Sequence, residues 1–376
     1  MAKEEGSKGY NIEFIKNELL PEMVYNRCFC ESGSREFVEF ESAIVESLLI
    51  TADRSTKPWE LYRVNAVVRF SGVPMSFPLI VKLLPSYVQS EHSFARFQNE
   101  EMFYSKMLSV YGNELFPKCY ASDMGRYGMP VIVLEDLTAN EYETLRDNGR
   151  RMMNEEELKL SLKSLGRFHG IGLRLKSERF ELYREFYMKL TSTISSRMIL
   201  YSMFASVMSA DDGCSSGNYS LGKEMKKLWD IKIVENANET CTNADDDDIS
   251  CICHGDFSIR KKVLFKREKN GTPIDVKMID WQTMRYSSPF IELVIVLIMN
   301  IPTPSRDQRF LREILTVYVD AVRSEYTSIT RERLIEQKKK KFELEVIEKT
   351  LFLSLSLSLS LSLSLRGGLS LLNVRR

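Results

Sequence analysis

Net charge, histidine and long apolar runs are all scarce in this chain of 376 residues. Its 52 basic and 52 acidic side chains cancel at neutral pH, so no electrostatic argument favours nucleic acid or an anionic membrane as a partner. The longest apolar run, Phe290 to Ile301, carries Glu292 and is too short to span a bilayer. It reads as a buried helix. The opening residues, Met1-Ala2-Lys3-Glu4-Glu5-Gly6, lack the apolar core of a secretory signal, so a cytoplasmic location is expected. The seven cysteines make no metal pattern, since Cys28-Phe29-Cys30 and Cys251-Ile252-Cys253 have no histidine at finger spacing. Reduced thiols are the expected state. A length of 376 residues is natural for two lobes.

Local pattern divides the chain into a sheet region followed by helices. Apolar spacing at Ile12, Phe14, Ile15, Leu19 and Leu20 predicts a helix over 11–26, with Pro21 breaking or kinking it. Residues 38–50 mix apolar and acidic positions and contain no glycine. Strand formers fill 61–70, 77–84 and 131–134, with turns at Gly72-Val73-Pro74 and Gly128-Met129-Pro130. Phe94 to Val110 reads as a helix. Strand, strand, helix, strand makes a small antiparallel sheet with one packed helix. Further on, Glu155 to Leu175 is amphipathic, with Leu158, Leu162, Leu165, His169 and Leu173 near one face. The acidic run Asp245 to Asp248 reads as a solvated loop. Helices are expected again over 311–324 and 331–349.

Two acids carry the chemistry. Asp256 ends Cys253-His254-Gly255-Asp256, and Asp280 sits in Ile279-Asp280-Trp281-Gln282, with the strand-forming Val263-Leu264-Phe265 between them. Phosphoryl transfer asks for a lysine on the nucleotide phosphates, metal to neutralise developing charge, and an acid to orient the attacking hydroxyl. Lys82 lies inside an apolar strand, where a charge needs a partner. It reads equally as a phosphate contact held by Glu100 or Glu101, or as an edge-strand lysine reaching to water. Leu134-Glu135-Asp136-Leu137 reads as a hinge whose backbone meets an adenine edge, or as a solvated turn.

Six blocks in order resemble a known family: Ile80-Val81-Lys82-Leu83-Leu84-Pro85, Phe97 to Tyr104, Val133 to Leu137, Leu165-Gly166-Arg167-Phe168-His169-Gly170, Cys253 to Asp256, and Ile279 to Gln282. Together they look like the ecdysteroid kinase-like (CHK kinase-like) family, of the choline kinase and aminoglycoside phosphotransferase group. The resemblance runs from about residue 35 to about residue 330. It implies an α+β, protein-kinase-like two-lobe fold: a small antiparallel sheet lobe over 1–134, then the hinge and a larger helical lobe over 135–349 with a catalytic hairpin at 251–282. It implies an ATP-dependent kinase acting on a small-molecule alcohol, such as an ecdysteroid or another steroid or xenobiotic, with ATP and magnesium as cofactors. No nucleic acid or membrane partner is implied. Lys82, paired with Glu100, would contact the phosphates, and Glu135 to Leu137 would hold adenine. Asp256 would be the catalytic acid, and Asp280 would bind magnesium. His254 would support its loop, and His169 reads as helix packing. His92 has no motif and is expected to be exposed.

The sequence departs from that pattern in three places. The family has an asparagine five residues past the aspartate as a metal ligand; here Lys261 stands there, within Arg260-Lys261-Lys262, and the loop is one residue longer. A protonated lysine has no lone pair to give a metal. No glycine-rich phosphate loop precedes Leu61, and Phe40 to Ile44 lies roughly where it belongs. Glu292 replaces the usual aspartate and keeps a helix-capping or loop-bracing charge. These departures leave a second reading open, a catalytically impaired homologue that binds nucleotide or a ligand. The tail from 350 to 376 holds unbroken Leu-Ser alternation from Leu353 to Leu365. A repeated CT dinucleotide encodes Leu-Ser, so the tail reads as non-native sequence replacing helices beyond about Lys349.

Overall fold

Alternation of apolar and polar side chains drives residues 60–83 into a hairpin. A computed structural model describes residues 9–48, 59–144, 153–191, 250–257, 262–300 and 308–326. The chain divides into two compact units: Met1–Glu143 with Lys277–Gln282, and Thr144–Val276 with Thr283–Arg376.

The first unit is built on β1 (Val38–Ser47), β2 (Glu60–Phe70), β3 (Val73–Leu83), β4 (Cys119–Asp123) and β5 (Val131–Glu135). They form one five-stranded sheet in the order β1-β2-β3-β5-β4, with antiparallel pairing throughout. Tyr62, Val64, Ala66 and Val68 alternate inward on β2 and meet Leu79, Val81 and Leu83 of β3 in the core. The expected strands at 61–70, 77–84 and 131–134 are therefore present as β2, β3 and β5. Two strands of this sheet, β1 and β4, were not anticipated. On β1, Glu39, Glu41 and Glu46 interrupt the apolar signal of an edge strand with no fully buried residue. On β4, every residue is only half-buried.

Two helices accompany the sheet. The first, α1, covers residues 9–25. Pro21 does not break it: Ile15–Leu19 winds as a π-turn, and Leu20–Tyr25 continues as α-helix with Pro21 in its first turn. There a missing N–H costs little. Phe14, Ile15, Leu19, Leu20, Met23 and Val24 seal this helix onto the sheet. The second, α2, covers residues 91–111, with a π-turn at Phe103–Met107. Its start is capped by Ser90, whose hydroxyl accepts from the Ser93 N–H. A two-residue strand, β6 (Tyr142–Glu143), closes this part of the chain.

The second unit contains α3 (Glu155–Glu178), α4 (Phe180–Lys189), β7 (Cys251–Cys253), β8 (Val263–Arg267), β9 (Pro273–Met278, which runs on toward the first unit's Lys277–Gln282), β10 (Arg285–Ser287), α5 (Pro289–Asn300) and α6 (Gln308–Tyr326). Asn154 and Glu157 cap α3 reciprocally, each side chain accepting from the other's N–H. The expected helices at 155–175, 290–301 and 311–324 appear as α3, α5 and α6. The helix expected over 331–349, the acidic run and the Leu-Ser tail fall outside the described residues.

Gly166 and Gly170 let α3 and α6 meet backbone to backbone. A Cβ at Gly166 would stand 2.6 Å from the Tyr318 carbonyl oxygen, and one at Gly170 2.7 Å from that of Val322. Neither obstacle is a flexible side-chain tip, so the helices must part to admit a methyl group. Gly166→Ala is expected to lower unfolding stability by about 1–3 kcal/mol, the cost of overpacking a filled core. Urea unfolding checks this, and an unchanged midpoint would contradict the close approach.

Candidate active site

Lys82 lies on β3, the central strand of the five, and is only 7% exposed. It is no edge-strand lysine reaching to water. Its ammonium is ion-paired with Glu100 of α2, which is 3% exposed, and stands 3.9 Å from an Asp280 carboxylate oxygen. The Trp59 ring lies beneath it, 4.1 Å from Nζ to centroid. Glu100 rather than Glu101 is thus the acid on α2 that takes the lysine. Burial makes a partner necessary, because an unpaired ammonium there would be strongly disfavoured. Removing one partner of such a buried pair costs about 3–5 kcal/mol.

Asp280 is set by packing of the residue after it. Trp281 is fully buried and stacks on Phe103 of α2, with centroids 4.0 Å apart and planes 10° apart, while Phe116 meets its edge. Asn99 donates to the Gln282 carbonyl at 3.2 Å. Upstream, the Met278 N–H donates to the Leu115 carbonyl at 2.8 Å. Held on both sides, Asp280 adopts a left-handed backbone with φ of 71°. Non-glycine residues rarely take that conformation, and it concentrates at functional sites. Its carboxylate is the hard oxygen donor that magnesium accepts.

The expected hinge is braced by its own side chains. The Glu135 carboxylate accepts from the Lys118 N–H at 2.8 Å and from Asn140 at 3.2 Å. Asp136 is buried, not solvated; it pairs with Arg63 at 2.8 Å and caps the turn that Leu137 opens by accepting from the Thr138 N–H. The N–H groups of Glu135 and Asp136 donate to the carbonyls of Lys118 and Pro78. Phe40 to Ile44 lies inside β1, with a bulge between Phe40 and Ser42.

In the second unit, β7 pairs with β10 and delivers the chain into His254-Gly255-Asp256. Glu292 on α5 clamps that turn. Its carboxylate accepts from the N–H groups of both His254 and Gly255, the first at 3.1 Å. Gly255 has φ of 88°, and a Cβ there would stand 1.8 Å from the Thr283 carbonyl oxygen, so only glycine fits. Thr283 also donates its hydroxyl to the His254 carbonyl at 3.3 Å. His254 is buried and acts through its backbone, as expected. The charge on Glu292 therefore braces the loop.

His169 holds Glu292 in turn. Its Nε2 lies 3.0 Å from the carboxylate, and its Nδ1 lies 2.8 Å from the Tyr318 hydroxyl. Burial opposes a charged imidazole, but the Cys253 sulfur and the Glu292 carboxylate outweigh it and raise the pKa to about 9. Burial likewise pushes the Cys253 thiol well above its ordinary value. For Glu292, burial pushes upward, but His169, His254 and Arg285 hold the carboxyl below its ordinary range. His169, Cys251 and Cys253 also bring ligand-type atoms within 4.8 Å of one another, a grouping that sequence spacing did not suggest. Both imidazole nitrogens are already engaged there.

Asp256 follows the clamped turn, and its carboxylate lies 3.4 Å from Nζ of Lys262. Sequence reasoning placed the anomaly at Lys261, which lies outside the described residues, and missed this ion pair with its neighbour. His92 is exposed, as expected.

Residues 60–330 match the model of the ecdysteroid kinase-like family. The chain belongs to that family. The family assignment, the central-strand lysine paired to an acid on the following helix, and the α+β division into two units agree with a protein-kinase-like fold. Solved structures similar to the chain include aminoglycoside 2'-phosphotransferase-IIIa in its GDP complex, 14% identical, covering 89% of this chain and 98% of that one with a TM-score of 0.39. A choline kinase from Cryptosporidium parvum Iowa II is 10% identical, covering 88% and 90%, with a TM-score of 0.43. An aminoglycoside phosphotransferase from Alicyclobacillus acidocaldarius is 10% identical, covering 76% and 90%, with a TM-score of 0.35. No curated protein is similar enough to count as a relative. No helix among the described residues is long and apolar enough to cross a membrane.

The His169–Glu292 clamp makes stability depend on pH. His169 titrates above its ordinary value of 6.5, so its contribution is complete below 6.5 and is lost as pH rises through about 9. Glu292 titrates below its ordinary value of 4.5, so its contribution is present above 4.5 and is lost as pH falls further. Glu292→Gln should therefore destabilise most between pH 4.5 and 6.5 and progressively less toward pH 9. Urea midpoints of both proteins across that range check this. A stability gap that ignores pH would contradict the clamp.

Proposed function

We propose that this chain transfers the γ-phosphoryl group of ATP to a hydroxyl of a small molecule, with an ecdysteroid or other steroid or xenobiotic alcohol as the acceptor class. The observation that carries the reading is Lys82, buried on the central strand with Glu100 and an Asp280 oxygen beside its ammonium. In this reading Lys82 contacts the nucleotide phosphates, and Glu100 holds it in position. The Glu135 carbonyl and the Leu137 backbone meet adenine. Asp280 holds magnesium, which when bound neutralises charge on the phosphates. Asp256 orients the acceptor and takes its proton. The hydroxyl oxygen bonds to the γ-phosphorus as the bond to the ADP bridging oxygen breaks, and the hydroxyl proton passes to the Asp256 carboxylate.

A second reading, nucleotide or ligand binding without turnover, is favoured by the Lys262–Asp256 pair and by the lysine at the asparagine position. Thermal-shift titration separates the two, because stabilisation by ATP that ignores magnesium supports binding alone.

The test is magnesium-dependent ATP consumption over a panel of sterols and other alcohols. Acceptor-dependent turnover is expected in the wild type. Lys82→Met should lower it by about 100-fold or more, the scale of a lost charge contact in the transition state. Circular dichroism guards against misfolding. Turnover that survives Lys82→Met would overturn the proposed role of the lysine.

A further inference from the structure

Phosphotransferases of the protein-kinase type commonly use two metal ions, one on a strand-end aspartate and one on an asparagine of the catalytic loop. This chain has the first ligand in Asp280 and a lysine at the position of the second, with another lysine after it. The second of the two, Lys262, is the one whose ammonium the structure brings to Asp256, at 3.4 Å. We propose that Lys262 supplies, as a fixed ammonium, the positive charge that a second metal ion supplies elsewhere, so that the chain works with a single magnesium. This inference rests on the phosphotransferase reading above.

Three observations carry it. First, the Lys262 side chain is 9% exposed, whereas that of Asp256 is 34% exposed. A lysine free to reach water would avoid burial, since an ammonium is costly to desolvate without an anion. Here one carboxylate oxygen faces the ammonium while the carboxylate keeps an accessible surface for an acceptor hydroxyl. Second, Lys262 is anchored by β8, the strand that begins at the next residue. Val263, Leu264 and Phe265 of that strand are buried, so the Lys262 Cα sits at the start of a packed element rather than on a free loop. A charge that acts on a transition state must be held before the reaction begins. Third, an ammonium keeps its positive charge whichever acceptors its N–H groups engage. It cannot ligate a metal while protonated. Its charge next to Asp256 also repels a divalent ion from that carboxylate. Replacement of the ion and exclusion of the ion thus come from one side chain.

The experiment counts ions and measures turnover on the full chain. Manganese is titrated in the presence of a non-hydrolysable ATP analogue, and bound ions are counted by electron paramagnetic resonance. One ion per nucleotide-bound chain is expected. Lys262→Met should leave analogue affinity within about 3-fold and lower turnover about 100-fold, whereas Lys262→Arg, which keeps the charge, should recover at least tenfold over the methionine variant. Circular dichroism confirms that each variant is folded. Two ions on the wild type, with normal analogue binding, overturn this inference and leave the phosphotransferase reading standing. So does a methionine variant that matches or exceeds wild-type turnover, which would make Lys262 neutral or an inhibitory clamp on Asp256. Failure of the wild type to bind the analogue overturns both readings together.

Discussion

A charge placed inside an apolar strand must be paired, and the first unit of this protein is organised around meeting that demand for Lys82. Its neighbours on β3, Val81 and Leu83, are fully buried. On this central strand Lys82 is only 7% exposed, so its ammonium is largely desolvated. Glu100 must therefore come from α2, which fixes that helix against the sheet. Asp280 arrives with Trp281, and the tryptophan's stacking on Phe103 of the same helix fixes where that acid stands. Sheet, helix and acid are coupled through one ion pair and one aromatic stack. Their arrangement is rigid for reasons of packing, and it presents positive and negative groups of the kind phosphoryl transfer uses.

The second unit obeys the same logic at a backbone turn. Two N–H groups of the His254-Gly255 turn point inward and need acceptors. Glu292 provides both, at the cost of burying a carboxylate, and His169 with Tyr318 offsets that cost. Gly255 is required twice over, by its positive φ and by the Thr283 carbonyl that fills the space of a side chain. Asp256 leaves this turn with its direction set, and Lys262 stands beside it. Replacement of the usual aspartate by Glu292 keeps the clamp, because the role needs a carboxylate that reaches two adjacent N–H groups.

Legibility in the sequence tracked how local each signal was. β2, β3 and β5 could be read because their apolar residues alternate or run without interruption. β1 could not, because Glu39, Glu41 and Glu46 belong to an edge strand whose outer face is wet. Pro21 misled, since a π-turn just before it absorbed the disturbance. Lys82 was visible as a charge among apolar neighbours, but the choice between Glu100 and Glu101 needed either a family pattern or the burial of Glu100. Asp136 looked like a solvated turn residue because its partner, Arg63, is on another strand. The links of His169 to Glu292 and of Lys262 to Asp256 join residues that no helical or strand period relates. The lysine run was conspicuous in sequence, but which lysine met Asp256 depended on where β8 begins.

The proposed role of Lys82 puts its amine beside bound nucleotide phosphates. The most direct measurement is covalent labelling by an adenosine acyl-phosphate, which transfers its acyl group to a lysine amine beside bound phosphates. Peptide mass spectrometry then locates the modified residue. Acylation is expected at Lys82, suppressed by ATP with magnesium and not by an equal concentration of inorganic phosphate. Labelling spread over surface lysines, or labelling of Lys82 that ATP leaves unchanged, would contradict it.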